Sequence, residues 1–309
     1  MEGLLLISNA TAGTNEEQAL IRAVDALMEV YDVEQVETSS AEELGEALGK
    51  AADRVIAIAG GDGSLHAVVN GLHELGLLQE ARLGLLPLGT GNDFARGVGI
   101  PLEPEAAADV IKAGNLVGVD LIVDARDRVV VNNAHIGVGA DASRKAQKWK
   151  PRFARVKLGR LGYVVGAVAA GVRPEFIKAR VVVDDADLAP LGHIAQVAIG
   201  NGSTVGGGTE LVPGADPSSG KLVVIVSRTA GTLSRLLYIV RLRGGTHHLM
   251  KEVSRVTGQT VRVVGDEFYV SGDGEIVGPF NDMQWELRPR AMRMFLPPGA
   301  DESTQGSPQ

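Results

Sequence analysis

Through residue 125, short apolar runs alternate with stretches of helical periodicity, and few folds accommodate that pattern. Leu4–Ile7 is a compact apolar run ending at Ser8-Asn9, and residues 16–30 then place Ala19, Leu20, Ala23, Val24 and Leu27 at helical spacing. Val33–Glu37 reads as a strand and 41–52 as a helix. Arg54–Ala59 reads as a buried strand that stops at Gly60-Gly61. A helix is expected from Ser64, with Leu65, Val68, Val69, Leu72 and Leu75 on one face, and Arg82–Leu88 returns as a strand. Strands that alternate with helices bury both faces of a parallel sheet, so this half is predicted to be α/β.

The pattern changes near residue 116. Leu116–Ala125 and Val129–Asn133 are strand-like, and most of the remaining chain reads as strands separated by turns: 176–183, 191–200, 221–227, 260–264, 267–271, 284–288 and 292–296. One helix-like insertion, 230–243, carries Leu233, Leu236, Leu237 and Val240. The expected organisation is an α/β domain over 1–125 and an antiparallel β-sandwich over 126–298, with the last strand free to return to the first domain. A polar tail over 299–309 is expected to be disordered.

Composition narrows the function classes. The chain has 309 residues and no cysteine, which removes disulfides, thiolate metal sites and cysteine nucleophiles together. Its start lacks a basic n-region, and its longest weakly apolar stretch, Leu161–Val172, is interrupted by three glycines. No signal peptide or membrane span is therefore expected, and the chain reads as cytoplasmic. A net charge of −8 argues against bulk nucleic-acid binding. Between Asp141 and Glu175, however, nine Lys and Arg stand without one acid, from Arg144 to Arg173, with Trp149 and Phe153 among them. Such a segment suits an anionic surface or a merely solvated one.

Forty glycines, roughly twice the usual ~7%, gather in clusters. Gly60-Gly61-Asp62-Gly63-Ser64 lies where a buried strand gives way to a helix, the place where open α/β sheets bind ligands. Glycines there let backbone N–H groups approach a phosphate, and the helix N-terminus adds favourable partial charge. A plain turn with Asp62 or Ser64 as N-cap is the simpler alternative. Gly89-Thr90-Gly91-Asn92-Asp93-Phe94-Ala95-Arg96 follows the next parallel strand, so Thr90, Asn92 and Asp93 should reach the same rim. Ser271-Gly272-Asp273-Gly274-Glu275 sets two carboxylates in a glycine turn. It could supply a general base or be only a hairpin turn.

Taken in order, these pieces resemble the diacylglycerol kinase catalytic-domain family, which includes bacterial soluble lipid kinases and is related to sphingosine, ceramide and, more distantly, NAD kinases. The resemblance also covers Asn133–Asp141, Gly200-Asn201 and Gly206-Gly207-Gly208, and runs from about Leu4 to Pro298. It implies a nucleotide-binding α/β domain and a β-sandwich carrying the lipid side, with ATP and Mg²⁺ in the cleft between them and phosphoryl transfer to a lipid hydroxyl. Carried over residue by residue, Asn9, Thr11, Gly13, Thr38, Gly60, Gly61, Gly63, Ser64, Thr90 and Asn92 would line the nucleotide site. Asp62 and Asp93 would face the phosphates and Mg²⁺, and Glu275 would be the general base with Asp273 beside it. The basic segment 144–160 would then dock a peripheral enzyme on an anionic membrane, with 230–243 as a second surface. The resemblance also accords with a homodimer.

Three departures stand out. The first loop, Asn9-Ala10-Thr11-Ala12-Gly13, lacks the family's usual proline, and His66-Ala67 replaces a common Asn-Glu pair. The loop Asp216–Lys221, where some members hold a structural Mg²⁺, has Ser219 in place of an acid and leaves Asp216 as the obvious ligand. Two other readings compete: an NAD kinase-like phosphotransferase with a soluble acceptor, and a catalytically idle nucleotide- or lipid-binding regulator.

Overall fold

The computed structural model describes residues 1–9, 14–51, 53–137, 176–228 and 231–299. The expected site residues Thr11 and Gly13, the basic segment 144–160 and the tail beyond 299 lie outside the described residues, as does the side chain of Asn9. The chain divides into two compact units. The first is Met1–Leu121 with Asp216–Gly220 and Arg288–Gln309, and the second is Ile122–Ala215 with Lys221–Leu287. The sequence pattern suggests a boundary at 125/126 and a last strand free to return to the first domain, but it gives no sign of Asp216–Gly220, because a short loop inserted into another unit carries no compositional mark.

The first unit is doubly wound. Strands β1 (Glu2–Asn9), β2 (Tyr31–Thr38), β3 (Val55–Gly60) and β4 (Arg82–Pro87) stand in the order β2-β1-β3-β4, all parallel. Helices α1 (Thr14–Met28), α2 (Ala41–Gly49) and α3 (Asp62–Glu74) connect them. Leu4–Ile7 and Val55–Ala59 are continuously buried, as strands covered on both faces must be. The chain winds one way from β1 to β2 and the other way from β3 to β4, so right-handed crossovers send α1 to one face and α3 to the other. The strand order therefore reverses between β1 and β3.

After β4 come a short helix, α4 (Asp93–Gly97), and α5 (Pro104–Ala113), which packs on α1. Helix α5 is absent from the elements expected above, although Pro104 in its first turn and Gly114 in the left-handed conformation at its C-cap are regular boundary signals.

Strand β5 (Leu116–Asp124) is followed by β6 (Val129–Val130) and β7 (Asn133–Gly137). The second unit continues with β8 (Ile177–Val183), β9 (Ala186–Ile194), β10 (Gln196–Gly200), the small ribbon β11 (Thr204–Val205) and β12 (Thr209–Glu210), and β13 (Leu222–Ser227). Helix α6 (Thr232–Arg243) precedes β14 (Val253–Gly258), β15 (Thr260–Gly272) and β16 (Glu275–Phe295). The four segments expected at 260–264, 267–271, 284–288 and 292–296 are thus two long strands.

Pairing within this unit is antiparallel. β14-β13-β10-β7 lead to the end of β15 at Val270–Gly272, while the start of β15 at Val261–Gly265 pairs β8, which pairs β9. Register shifts after Val264 and Phe268 separate the two halves of β15. Such bulges bend a strand. Ile136, Val197 and Val224 from one side of the bend share a single core with Val181, Val263 and Trp285 from the other, giving the expected β-sandwich. A second core lies under α6, where Tyr238 and Leu242 pack with Ala198, Val223 and Ile225.

Candidate active site

In the first unit, parallel pairing brings the C-terminal ends of β1 to β4 to one edge. Asn9 is in register with Thr38, Ser8 with Ala59, and Gly60 with Pro87. Asn9, half-buried Thr38 and the two glycine-rich turns therefore meet beside the point where the strand order reverses, the position at which open α/β sheets take ligands.

The two turns are locked together. The Asp62 carboxylate accepts the backbone N–H groups of Asp93 and Phe94, each at 3.0 Å. Asp62 thereby caps α4, whose own N-cap residue, Asn92, makes no side-chain capping bond. Asn92 sits in the left-handed region at φ 50 and folds its amide back on its own turn. Its Oδ1 accepts Gly89 N–H at 3.0 Å and its Nδ2 donates to the Gly89 carbonyl at 2.8 Å. The loops touch backbone to backbone: a Cβ on Gly89 would lie 2.5 Å from Gly61 Cα, and one on Gly61 would lie 2.9 Å from Gly89 Cα. Those two glycines are required by the protein's own packing.

Gly63 is different. It lies in the first turn of α3, exposed, with nothing within 4 Å of where a Cβ would stand. Gly61 is the N-cap of α3, so the residue at that helix end brings no side chain of its own to the first N–H groups. The Ser64 side chain folds over Gly60, where a Cβ would meet its Oγ at 2.3 Å. The positive end of a 13-residue helix thus opens beside exposed Gly63 and exposed Thr90, while Asp93 is buried at the foot of α4.

In the second unit two distant stretches, 131–133 and 201–204, gather at the hairpin between β15 and β16. Asp273 at φ 47 and Gly274 at φ 91 are its two central residues, with Gly272 in register with Glu275, a type I′ geometry. The Asp273 carboxylate accepts three backbone N–H groups, from Val131 at 2.7 Å, Asn132 at 2.9 Å and Asn133 at 3.2 Å. The side-chain amides of Asn132 and Asn133 both donate to the Thr204 carbonyl, and buried Asn201 donates to the Val131 carbonyl at 2.8 Å. Asp273 therefore holds the 131–133 turn beside Glu275. Glu275 follows the turn directly and is exposed.

Asp216 belongs to the first unit and closes an Asx turn, its Oδ1 accepting Ser218 N–H at 2.9 Å and Ser218 Oγ–H at 2.7 Å. Beside it lies Asp120, which no motif in the sequence singles out. Asp120 is buried and accepts backbone N–H groups from Gly220 and Arg290, at 2.7 and 2.8 Å. Burial, and secondarily the nearby Asp216 charge, push its carboxyl above the ordinary range, against the pull of those two backbone bonds. Among the described residues no group of three or more His, Cys, Asp or Glu is gathered. Asp62 and Asp93 still fit Mg²⁺ in donor chemistry, because that ion is commonly held by one or two carboxylates plus phosphate oxygens, without an all-protein cage.

Comparison with known proteins agrees with this anatomy. Residues 3–123 match the family model described as diacylglycerol kinase catalytic domain, and residues 132–296 match the YegS C-terminal NAD kinase beta sandwich-like domain. The protein named "Probable lipid kinase YegS-like" from Stenotrophomonas maltophilia (strain K279a) is 31% identical over 264 residues, covering 83% of this chain and 82% of its own. A protein named diacylglycerol kinase from Mycobacterium tuberculosis is 29% identical over 257 residues, with 82% and 80% covered. A crystal structure titled as a diacylglycerol kinase from Bacillus anthracis str. Sterne has the same fold, with a TM-score of 0.77, 24% identity and 96% and 98% of the two chains covered. The fold is that of a two-unit kinase with a β-sandwich. The chain belongs to the YegS-like lipid kinase family.

Proposed function

We propose that this protein transfers the γ-phosphoryl group of ATP to the hydroxyl of diacylglycerol or a closely related lipid, giving a phospholipid such as phosphatidic acid. The observation that carries the reading is the pair of glycine-rich turns at the strand-order reversal, locked by Asp62, beside the N-terminus of α3, whose N-cap is Gly61. Backbone N–H groups at such an end take phosphate oxygens, and Gly63 leaves room for them to approach. Asn9, Thr11, Gly13, Thr38 and Thr90 complete the nucleotide site in this reading.

Glu275 accepts the proton of the lipid hydroxyl as its oxygen attacks the γ-phosphorus. The phosphorus–oxygen bond to ADP breaks, ADP leaves with the bonding electrons, and Glu275 returns its proton to solvent. Asp273 keeps Glu275 in place by fixing the turn that presents it. Asp62 and Asp93 would hold Mg²⁺, which when bound neutralises phosphate charge. Asp216, with Asp120 beside it, would accept a second cation that lowers the repulsion between the two carboxylates. The basic segment 144–160, with eight Lys and Arg, draws the enzyme to anionic leaflets.

The test is a transfer assay with γ-labelled ATP, Mg²⁺ and diacylglycerol in detergent micelles, comparing the native chain with Glu275→Gln. Labelled lipid from the first and not the second is expected. Equal turnover by both would remove Glu275 from the chemistry.

A further inference from the structure

Helix α6 is turned inside out. It buries Tyr238 and partly buries Leu242 over the sheet, yet Leu233, Leu236, Leu237 and Val240 are 80%, 49%, 44% and 69% exposed. Their spacing of three, four and seven residues makes one continuous apolar stripe along the solvent side. The 3-10 turn His247–Leu249 packs against α6 and adds Leu249, 66% exposed. Scattered exposed leucines need no explanation, but a contiguous stripe does.

The charge around the stripe says what covers it. In a chain of net charge −8, no Asp or Glu occurs from Lys221 to Lys251, while Arg228, Arg235, Arg241 and Arg243 do. Arg243 is exposed and extends the line of the stripe beyond Val240, and Arg241 is partly exposed next to it. Arg235 is engaged with the Gly231 carbonyl and the ring of Phe176. The nearest acids are tied to structure: Glu252 accepts Ser234 Oγ–H at 3.2 Å, and Glu210 abuts Gly245 beyond the helix end. An exposed apolar stripe with arginines at its end and no acid within it matches an anionic bilayer interface, with leucines at acyl depth and guanidinium groups at the headgroups. A second copy of the helix would instead bring six arginines together. No helix among the described residues is long and apolar enough to cross a membrane, so the contact would be interfacial.

We propose that the outer face of α6, with Leu249, inserts into the surface of anionic membranes and anchors the enzyme beside bilayer-embedded substrate. This rests on the lipid kinase reading for its purpose, but vesicle binding tests it without any turnover. The experiment is co-sedimentation of the full chain with vesicles of phosphatidylcholine alone or mixed with phosphatidylglycerol. The variants are Leu236→Ser/Leu237→Ser and Arg241→Gln/Arg243→Gln. Activity on a short-chain, water-soluble diacylglycerol is measured in parallel.

The leucine variant should bind mixed vesicles at least about tenfold more weakly. The arginine variant should lose about fivefold per arginine on the anionic vesicles only. Both should retain native thermal unfolding and activity on the soluble substrate, since the altered side chains face solvent. If both variants sediment like the native chain, or the native chain ignores anionic vesicles, the proposal is overturned. It is equally overturned if the native chain is a dimer that the leucine variant converts to monomer. Absence of turnover on soluble and bilayer substrate alike, with vesicle binding intact, would instead remove the kinase reading and leave the docking face standing.

Discussion

Asp62 and Asp93 stand 31 positions apart, and the carboxylate of the first accepts the backbone N–H of the second at 3.0 Å. With the Phe94 N–H on its other oxygen, one side chain stitches the phosphate-site turn to the turn after β4. Asp62→Asn leaves one acceptor for two donors and turns an amide N–H toward the other. Unfolding in urea should show a loss of about 1–3 kcal/mol, and turnover should fall at least about tenfold because α4 and Asp93 lose their anchor. Unchanged stability would mean that the cap does not hold α4.

The glycines of these turns separate by cause. Gly89→Ala forces a Cβ to within 2.5 Å of Gly61 Cα, a backbone atom with no rotamer to yield, and should destabilise by about 1–3 kcal/mol. Gly63→Ala meets nothing within 4 Å and gains helix propensity, so it should stabilise by up to about 1 kcal/mol while raising KM for ATP several-fold. Thermal unfolding and ATP kinetics of the two variants check the contrast. An unchanged KM in Gly63→Ala would place the phosphates elsewhere.

Asp273 and Glu275, two residues apart, should answer oppositely. Asp273→Ala leaves three backbone N–H groups without their acceptor, so stability should drop by about 2–4 kcal/mol with activity lost as a consequence. Glu275→Gln, on an exposed side chain, should leave unfolding unchanged and abolish kcat. A large stability loss in the second variant would assign Glu275 a structural role.

His247 gives the second unit an acid weakness. It is fully buried, and burial above all lowers its pKa from 6.5 to about 4, with the bond to the Leu211 carbonyl opposing and His248 adding to the shift. A histidine depressed in the folded state binds protons more readily when unfolded. Its contribution is therefore complete above pH 6.5 and is lost as pH falls toward 4. The loss over that window is on the order of 3 kcal/mol. Urea titrations at a series of pH values should show the decline, and His247→Phe should flatten it.

Much of the fold was legible in the sequence because its signals are local. Alternating periodicity marked β1 to β4 and their helices, and Asp273-Gly274 carried the mark of a two-residue hairpin turn. The features that stayed hidden depend on distance along the chain. The amides that Asp273 accepts come from 140 to 142 positions away, so nothing near it showed that it clamps the 131–133 turn. Asp120 lies inside the apolar run of β5, and its partners Gly220 and Arg290 are 100 and 170 positions off. The leucines of α6 have ordinary amphipathic spacing, and only the packed structure shows that the apolar face points outward.

The most direct measurement incubates the purified chain with γ-labelled ATP, Mg²⁺ and a total lipid extract, then counts the organic and aqueous phases separately. Label in the organic phase, migrating as a phosphorylated lipid and absent with Glu275→Gln, is the predicted result. Label held in the aqueous phase on a soluble acceptor such as NAD, or no transfer at all, would contradict the account.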